Sequence, residues 1–142
     1  MMKSLHIIFA LLIINGTLSQ QLENSGFEQW ENVGTGEEEP LSWSSTKTSD
    51  NSSLNGLAPQ VISRSTDAHT GTYAAKLVNK NVPFVNIVAN GILTNGIVHT
   101  TTNPQDSYVY TDVNSSDHSQ PFTSFPDSIV GWYKYAPQGL SL

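Results

Sequence analysis

The sequence predicts an all-β fold made of short strands in one domain. After residue 19 no stretch repeats apolar positions at helical spacing, while Gly, Pro, Asn, Asp and Ser interrupt the chain every few residues. Only 13% of the 142 residues are charged, and Ser, Thr and Asn are abundant, which is typical of extracellular β proteins. The chain has no cysteine, so its core must come from scattered aliphatic and aromatic side chains.

Residues 1–19 have the anatomy of a secretory signal peptide. Lys3 supplies a positive start, and residues 5–14 form an apolar run too short to span a bilayer stably. Thr17 and Ser19 place small residues at positions −3 and −1, so we expect cleavage before Gln20. The alternative is an uncleaved N-terminal anchor. We expect a secreted or cell-surface protein whose residues 20–142 form the domain, with no membrane insertion after cleavage.

The expected mature chain is acidic. Twelve carboxylates face few fixed positive charges, which are Lys47, Arg64, Lys76, Lys80 and Lys134. A surface of this sign repels phosphate backbones and anionic lipid. We therefore expect no nucleic-acid partner, and neutral ligands or cations remain.

The clearest predicted strand covers residues 73–78. Alternation places Tyr73, Ala75 and Leu77 on one face, which we expect to be the core face. Residues 67–71 precede this strand, and their Asp and Gly favour a turn.

Further strands and loops follow from the same patterns. The other predicted strands are 60–64, 84–88, 91–94, 97–101, 107–113 and 128–135. Asn95-Gly96 between two β-prone runs predicts a hairpin. Residues 34–40, 44–56 and 114–126 are polar and rich in turn residues, so we expect long surface loops.

The predicted last strand, 128–135, resembles a central strand, yet only seven residues follow it. An unpaired edge promotes aggregation, and natural β proteins avoid it. We therefore expect a truncated or frameshifted fragment of a longer protein.

Four segments carry a recognisable pattern in order: NSGFEQW at 24–30, PLSW at 40–43, STDAHTGTYAAKL at 65–77 and PDSIVGWYKY at 126–135. Together they resemble the PCMD family of carbohydrate-metabolism domains in secreted bacterial proteins. More distantly they are similar to galactose-binding-like jelly rolls, which include many carbohydrate-binding modules. The resemblance implies a jelly-roll β-sandwich, often exported by type IX secretion with a C-terminal sorting domain that this sequence lacks.

The resemblance also implies a structural calcium ion. In similar jelly rolls the Glu of the Asn-x-Gly-Phe-Glu segment, here Glu28, holds calcium together with backbone carbonyls, here those of residues 67–70. A Glu that pairs with a loop or faces water is the alternative. Residues 112–117 carry oxygen side chains at alternate positions but lack the Gly and Glu of an EF-hand, so we interpret them as a solvated turn.

Aromatic residues suggest where a sugar ring would stack. Trp43 and Tyr73 are expected to be structural. In 128–135 alternation separates Trp132 and Lys134 from Tyr133 and Tyr135, and one of these faces must be exposed if the other is packed. The predicted ligand-binding residues are therefore Trp132, Lys134, Tyr133 and Tyr135.

No catalytic residue is predicted. The histidines are too widely spaced for a local metal motif, no nucleophile elbow or phosphate loop is present, and residues 37–39 are interpreted as a solvated acidic loop. Twelve acids without a structure select no glycosidase pair. Three hypotheses follow: a module that binds carbohydrate or assists a glycan-handling protein, a glycan-active enzyme with paired carboxylates, and a purely structural or adhesive surface domain.

Overall fold

The computed structural model describes residues 20–83, 87–126 and 128–137, and there the fold is all-β with very little helix. The strands are β1 (Trp30–Glu31), β2 (Glu39–Pro40), β3 (Ile62–Ser65), β4 (Ala74–Leu77), β5 (Lys80–Asn81), β6 (Val88–Ala89), β7 (Ile97–His99) and β8 (Tyr108–Tyr110). The helices are α1 (Ser52–Asn55) and two 3₁₀ turns, Thr46–Thr48 and Pro104–Asp106. Each strand pairs antiparallel with its neighbour along the chain, as β1–β2, β3–β4, β5–β6 and β7–β8. The predicted signal peptide lies outside the described residues.

The β3–β4 ladder is the longest in this part of the chain and agrees with the strands predicted at 60–64 and 73–78. It runs from Ile62 opposite Leu77 to Ser65 opposite Ala74. Val61 and Ile62 are buried, and the amide of Val78 donates to the carbonyl of Val61 at 2.9 Å, so this end contributes to the core together with the buried Val98 of β7. The predicted core face of β4 is only partly buried, because Leu77 remains 43% exposed.

The hairpin predicted at Asn95-Gly96 is wrong. β7 pairs with β8 instead, with Val98 opposite Val109. Thr94 pairs with Ser44 instead: its amide donates to the Ser44 carbonyl at 3.0 Å, and its carbonyl accepts from the Ser44 amide at 2.7 Å. A Cβ at Gly96 would overlap the carbonyl oxygen of Tyr110, so the glycine serves a close backbone approach and not a two-residue turn.

Two segments predicted to be surface loops contain much of the buried polar surface. Residues 34–40 end in β2, where Glu39 and Pro40 are buried. Residues 44–56 contain a 3₁₀ turn, α1 and the buried Ser44, Ser45 and Ser49. Ser45 and Ser49 are satisfied by groups close in sequence, whereas Ser44 pairs with the distant Thr94 and His118. Residues 114–126 are in neither helix nor strand, as predicted.

The strand predicted at 128–135 is also wrong for the residues that the structure describes. Residues 128–137 are exposed and belong to no helix or strand. Two side-chain contacts, the Lys134–Asp67 ion pair and the Trp132–His69 stack, join this part of the chain to the 67–70 turn. Of the strand predicted at 84–88, residues 84–86 lie outside the described part, and Val88 begins β6. Across the described ranges, none of the helices has the length and apolar character needed to cross a membrane.

Candidate functional site

A cavity of about 320 Å³ opens beside the β1–β2 pair. Its walls come from these strands, from the chain that follows β2 and from the 114–126 loop. The lining residues are Glu31, Glu39, Leu41, Ser42, Trp43, Ser44, Thr48, Asp117 and His118. The cavity therefore combines carboxylates, hydroxyls, an imidazole and one indole.

Glu39 is the most unusual member of this lining. It is 1% exposed, the Ser45 hydroxyl donates to its Oε1, and its Oε2 has no hydrogen-bond partner among the described residues. Burial raises the pKa of Glu39, hydrogen bonds from Ser45 and Thr48 oppose this shift, and the charge of Glu31 adds to it. The protonated carboxyl persists to higher pH than usual and has an O–H to donate.

Strand pairing places a second carboxylate next to Glu39. In the β1–β2 register Glu31 is the direct partner of Glu39. Direct cross-strand partners have Cβ atoms about 4.5–5.5 Å apart and point to the same face of a sheet. Glu31 is exposed whereas Glu39 is buried, so the two acids differ in environment although they share one cavity.

The serines beside Glu39 fix its surroundings. The Ser45 Oγ accepts from the amide of Lys47 at 3.0 Å, and the amide of Ser45 donates to the Thr48 hydroxyl at 3.1 Å, which caps the 3₁₀ turn reciprocally. Ser44 is fixed by its backbone bridge to Thr94. The cavity floor is therefore held by hydrogen bonds between residues close in sequence, plus one long-range bridge.

Trp43 and His118 form two further parts of the wall. The Trp43 ring meets Phe27 edge-on, with centroids 5.1 Å apart, and its Nε1 donates to the carbonyl of Glu23 at 3.1 Å. The Nδ1 of His118 lies 3.2 Å from the Ser44 hydroxyl. Ser42, between Trp43 and β2, has a φ of 68°, a backbone conformation that is costly for a residue with a side chain. Trp43 thus has a packing role, as predicted, and also lines the cavity.

The predicted ligand-binding residues lie at a different place, and none of them lines this cavity. Lys134 forms an ion pair with Asp67, and Trp132 stacks on His69 with centroids 4.0 Å apart and planes 10° apart. Tyr133 and Tyr135 are 89% and 80% exposed. The structure therefore brings Trp132 and Lys134 together on the 67–70 turn and leaves the two tyrosines in solvent.

The predicted calcium ligand Glu28 contacts the residues immediately before β4, which follow the predicted carbonyl ligands 67–70 in sequence. Its Oε1 accepts from the amides of Thr72 at 2.9 Å and Tyr73 at 3.2 Å. Gly71, at a φ of 73°, leaves room for the carboxylate, because a Cβ there would overlap Oε1. Within the described part of the chain, no three His, Asp or Glu side chains come together as a metal cluster. Here Glu28 serves as an acceptor for backbone amides.

Sequence reasoning missed Glu31, Glu39 and His118. The run 37–39 was interpreted as a solvated loop, and Glu39 is the exception because pairing of β2 with β1 buries it. Ser45 and Thr48 follow Glu39 closely and supply hydroxyl donors to it, but nothing in the sequence distinguishes Glu39 from Glu37 and Glu38 as their partner. His118 gave no local signal, since it is 74 residues from its partner Ser44.

Comparisons of the chain with protein-family models, with curated proteins and with solved structures found no match.

Proposed function

We propose that this protein is a secreted or cell-surface jelly-roll module that binds carbohydrate, with a sugar ring in the cavity between Glu39 and Trp43. The observation that carries the proposal is the buried Glu39 carboxyl, whose Oε2 lacks a protein partner while the residue lines an open cavity. A buried carboxyl oxygen without a partner costs about 1–3 kcal/mol. A ligand hydroxyl would remove this cost.

The composition of the lining supports a sugar over other ligands. Each sugar hydroxyl both donates and accepts hydrogen bonds, so it can pair with Glu31, Asp117, His118 and Ser42. The indole of Trp43 offers an aromatic surface for the apolar face of a pyranose. The volume of about 320 Å³ is at the small end of ligand pockets and suits one or two sugar units. The net charge of −6 disfavours phosphorylated ligands.

A longer glycan would make a second contact with the residues predicted from the sequence, which are Trp132, Lys134, Tyr133 and Tyr135. Their exposure supports this role, because Tyr133 and Tyr135 have free ring faces. Trp132 has one face on His69. Stacking on exposed aromatic rings is weaker than binding in a cavity, so the cavity supplies the main binding site.

A glycan array on the purified chain tests the proposal, followed by calorimetry with the best ligand. We expect Glu39→Gln to weaken binding about 5- to 10-fold, since one hydrogen bond in a buried site contributes about 1 kcal/mol. Glu37→Gln is the matched control, because Glu37 is exposed in the same acidic run. Equal weakening by the two variants would contradict the cavity site. An array without any binding would favour the structural or adhesive alternative.

The Glu31–Glu39 pair favours a second candidate function, glycan hydrolysis. Two carboxylates in one cavity, one of them with a raised pKa, are the arrangement that a general acid and its partner require. Glu39 would protonate the leaving-group oxygen, and Glu31 would act as base or nucleophile. Release of reducing sugar that is abolished by Glu39→Gln and by Glu31→Gln, but not by Glu37→Gln, would establish it. Binding without any release would leave the module non-catalytic.

The proposal keeps calcium at Glu28 as a structural ion. Its test uses two variants, because Glu28→Gln retains an Oε1 acceptor for the amides of Thr72 and Tyr73 whereas Glu28→Ala does not. If Glu28 binds calcium, added calcium raises the melting temperature of the wild type and not of Glu28→Gln. If Glu28 is only an amide acceptor, chelation changes nothing and only Glu28→Ala is destabilised, by about 1–3 kcal/mol.

A further inference from the structure

Residues 129–135 carry many exposed apolar side chains. Ile129, Val130, Trp132, Tyr133 and Tyr135 are all exposed, with Val130 at 85%. Fully burying a side chain of this size stabilises by about 1.5–3 kcal/mol. The segment has β-prone residues and alternating faces, but it belongs to no strand in the described residues. Such a segment is suited to pairing with an open sheet edge.

β8 offers an edge of this kind. In the part of the chain that the structure describes, β8 pairs only with β7. Val109 in β8 is 48% exposed although its partner Val98 is buried, so the apolar face of this pair is incompletely covered. Val98 and Val109 line an apolar cavity of about 520 Å³ together with Leu57 and Val88. A strand placed next to β8 would set one of its apolar side chains beside Val109.

We propose that residues 129–135 of one copy of this chain pair as a strand with β8 of a second copy and cover Val109. Pairing supplies backbone hydrogen bonds to both partners, and side chains of alternate residues cover the apolar cavity. Charge complementarity favours this partner, because the segment carries Lys134 while β8 lies between Asp106 and Asp112.

We favour a second copy as the partner because the contacts that residues 129–135 make within their own chain are weak and can be replaced by contacts to another chain. Within one copy the segment is held by the Lys134–Asp67 ion pair and the Trp132–His69 stack, both at the surface. An exposed ion pair contributes about 0–1 kcal/mol. In a reciprocal exchange, the face that carries Val130 and Trp132 packs on the partner. Its two tryptophans, one from each copy at about 150–250 Å², remove about 300–500 Å² of surface in addition to the backbone pairing, which corresponds to a weak, concentration-dependent interface.

Light scattering during size-exclusion chromatography, over a series of chain concentrations, tests the proposal. We expect the wild type to form dimers or larger assemblies, and Val130→Lys and Val109→Lys to be monomeric. Val113→Lys is the matched control, since Val113 is 80% exposed outside the segment and outside β8. A wild type that is monomeric at every concentration, or Val130→Lys and Val113→Lys chains that behave alike, would overturn the proposal. Circular dichroism of each variant confirms that it is folded.

Cysteine crosslinking tests the pairing itself, because the chain has no cysteine of its own. A Val109→Cys chain mixed with an Ile129→Cys or a Val130→Cys chain should form a mixed disulfide under mild oxidation, as Cα atoms of paired strands lie within disulfide range. A Val113→Cys chain should not crosslink with Val109→Cys. Equal crosslinking at position 113 would overturn the assigned partner edge. Neither test depends on carbohydrate binding.

Discussion

Residues 39–49 and residues 128–137 differ in whether they bury polar or expose apolar side chains. The first region buries a glutamate and three serines, whereas the second exposes isoleucine, valine, tryptophan and two tyrosines. The difference lies in their partners. Glu39 is buried because β2 pairs with β1 and Ser45 satisfies one carboxyl oxygen, whereas Trp132 and Lys134 of the C-terminal segment contact an exposed turn. Burial in this chain follows backbone pairing and hydrogen bonding more closely than it follows side-chain polarity.

The largest predicted effect is in the first region. Ser45→Ala removes the donor to Glu39 Oε1 and the acceptor for the amide of Lys47, so the buried carboxyl loses the hydroxyl donor on Oε1. We expect a loss of about 3 kcal/mol in the free energy of unfolding, measured by urea denaturation. Ser53→Ala, exposed in α1, is the control and should change stability by less than about 0.5 kcal/mol. Equal losses would show that Ser45 does not support the buried acid.

An intermediate effect is expected from the pH dependence of stability. The folded-state pKa of Glu39 is raised above its ordinary value of 4.5, so the folded protein binds this proton more tightly than the unfolded chain. The contribution of Glu39 to stability is therefore full below pH 4.5 and is lost as pH rises through the folded-state pKa.

Glu39→Gln should remove that decline, because the amide does not ionise. Urea denaturation of wild type and Glu39→Gln, at pH values from below 4.5 up through the folded-state pKa of Glu39, measures how the difference in unfolding free energy between the two chains changes with pH. If the difference is constant with pH, Glu39 is not the buried acid that the structure shows. Glu37→Gln controls for the change in net charge.

The smallest effect is expected in the second region. Trp132→Ala removes an aromatic ring that is exposed and contacts His69. We expect a loss below about 1 kcal/mol at concentrations where the chain is monomeric, measured by thermal unfolding. A loss as large as that of Ser45→Ala would mean that this segment belongs to the cooperative core.

How much the sequence predicted depends on the range of the interactions involved. The strand at 73–78 was predicted correctly, because alternation and a preceding turn are local signals. Trp132 and Lys134, predicted on one face of a strand at 128–135, both contact the 67–70 turn. The strand predicted there was wrong, since a strand also needs a partner that the local pattern does not specify.

Other errors have the same origin. Asn95-Gly96 has the local signal of a hairpin, but Thr94 is bonded to Ser44, fifty positions earlier in the chain. Glu39 could not be separated from Glu37 and Glu38 by composition, and only the β1–β2 register distinguishes it. The candidate cavity was therefore not predictable from the sequence, because the sequence does not show which residues the strand pairing brings together.

The central claim is that a sugar binds in the Glu39–Trp43 cavity and not primarily on the C-terminal aromatic segment. The chain has three tryptophans, at positions 30, 43 and 132, and their indole N–H groups are separate reporters in nitrogen–proton correlation spectra. Titration with the glycan selected by the array should shift the Trp43 indole signal first and most, with Trp30 as the reference. Shifts confined to Trp132, or no shift at Trp43 at saturation, would contradict the account.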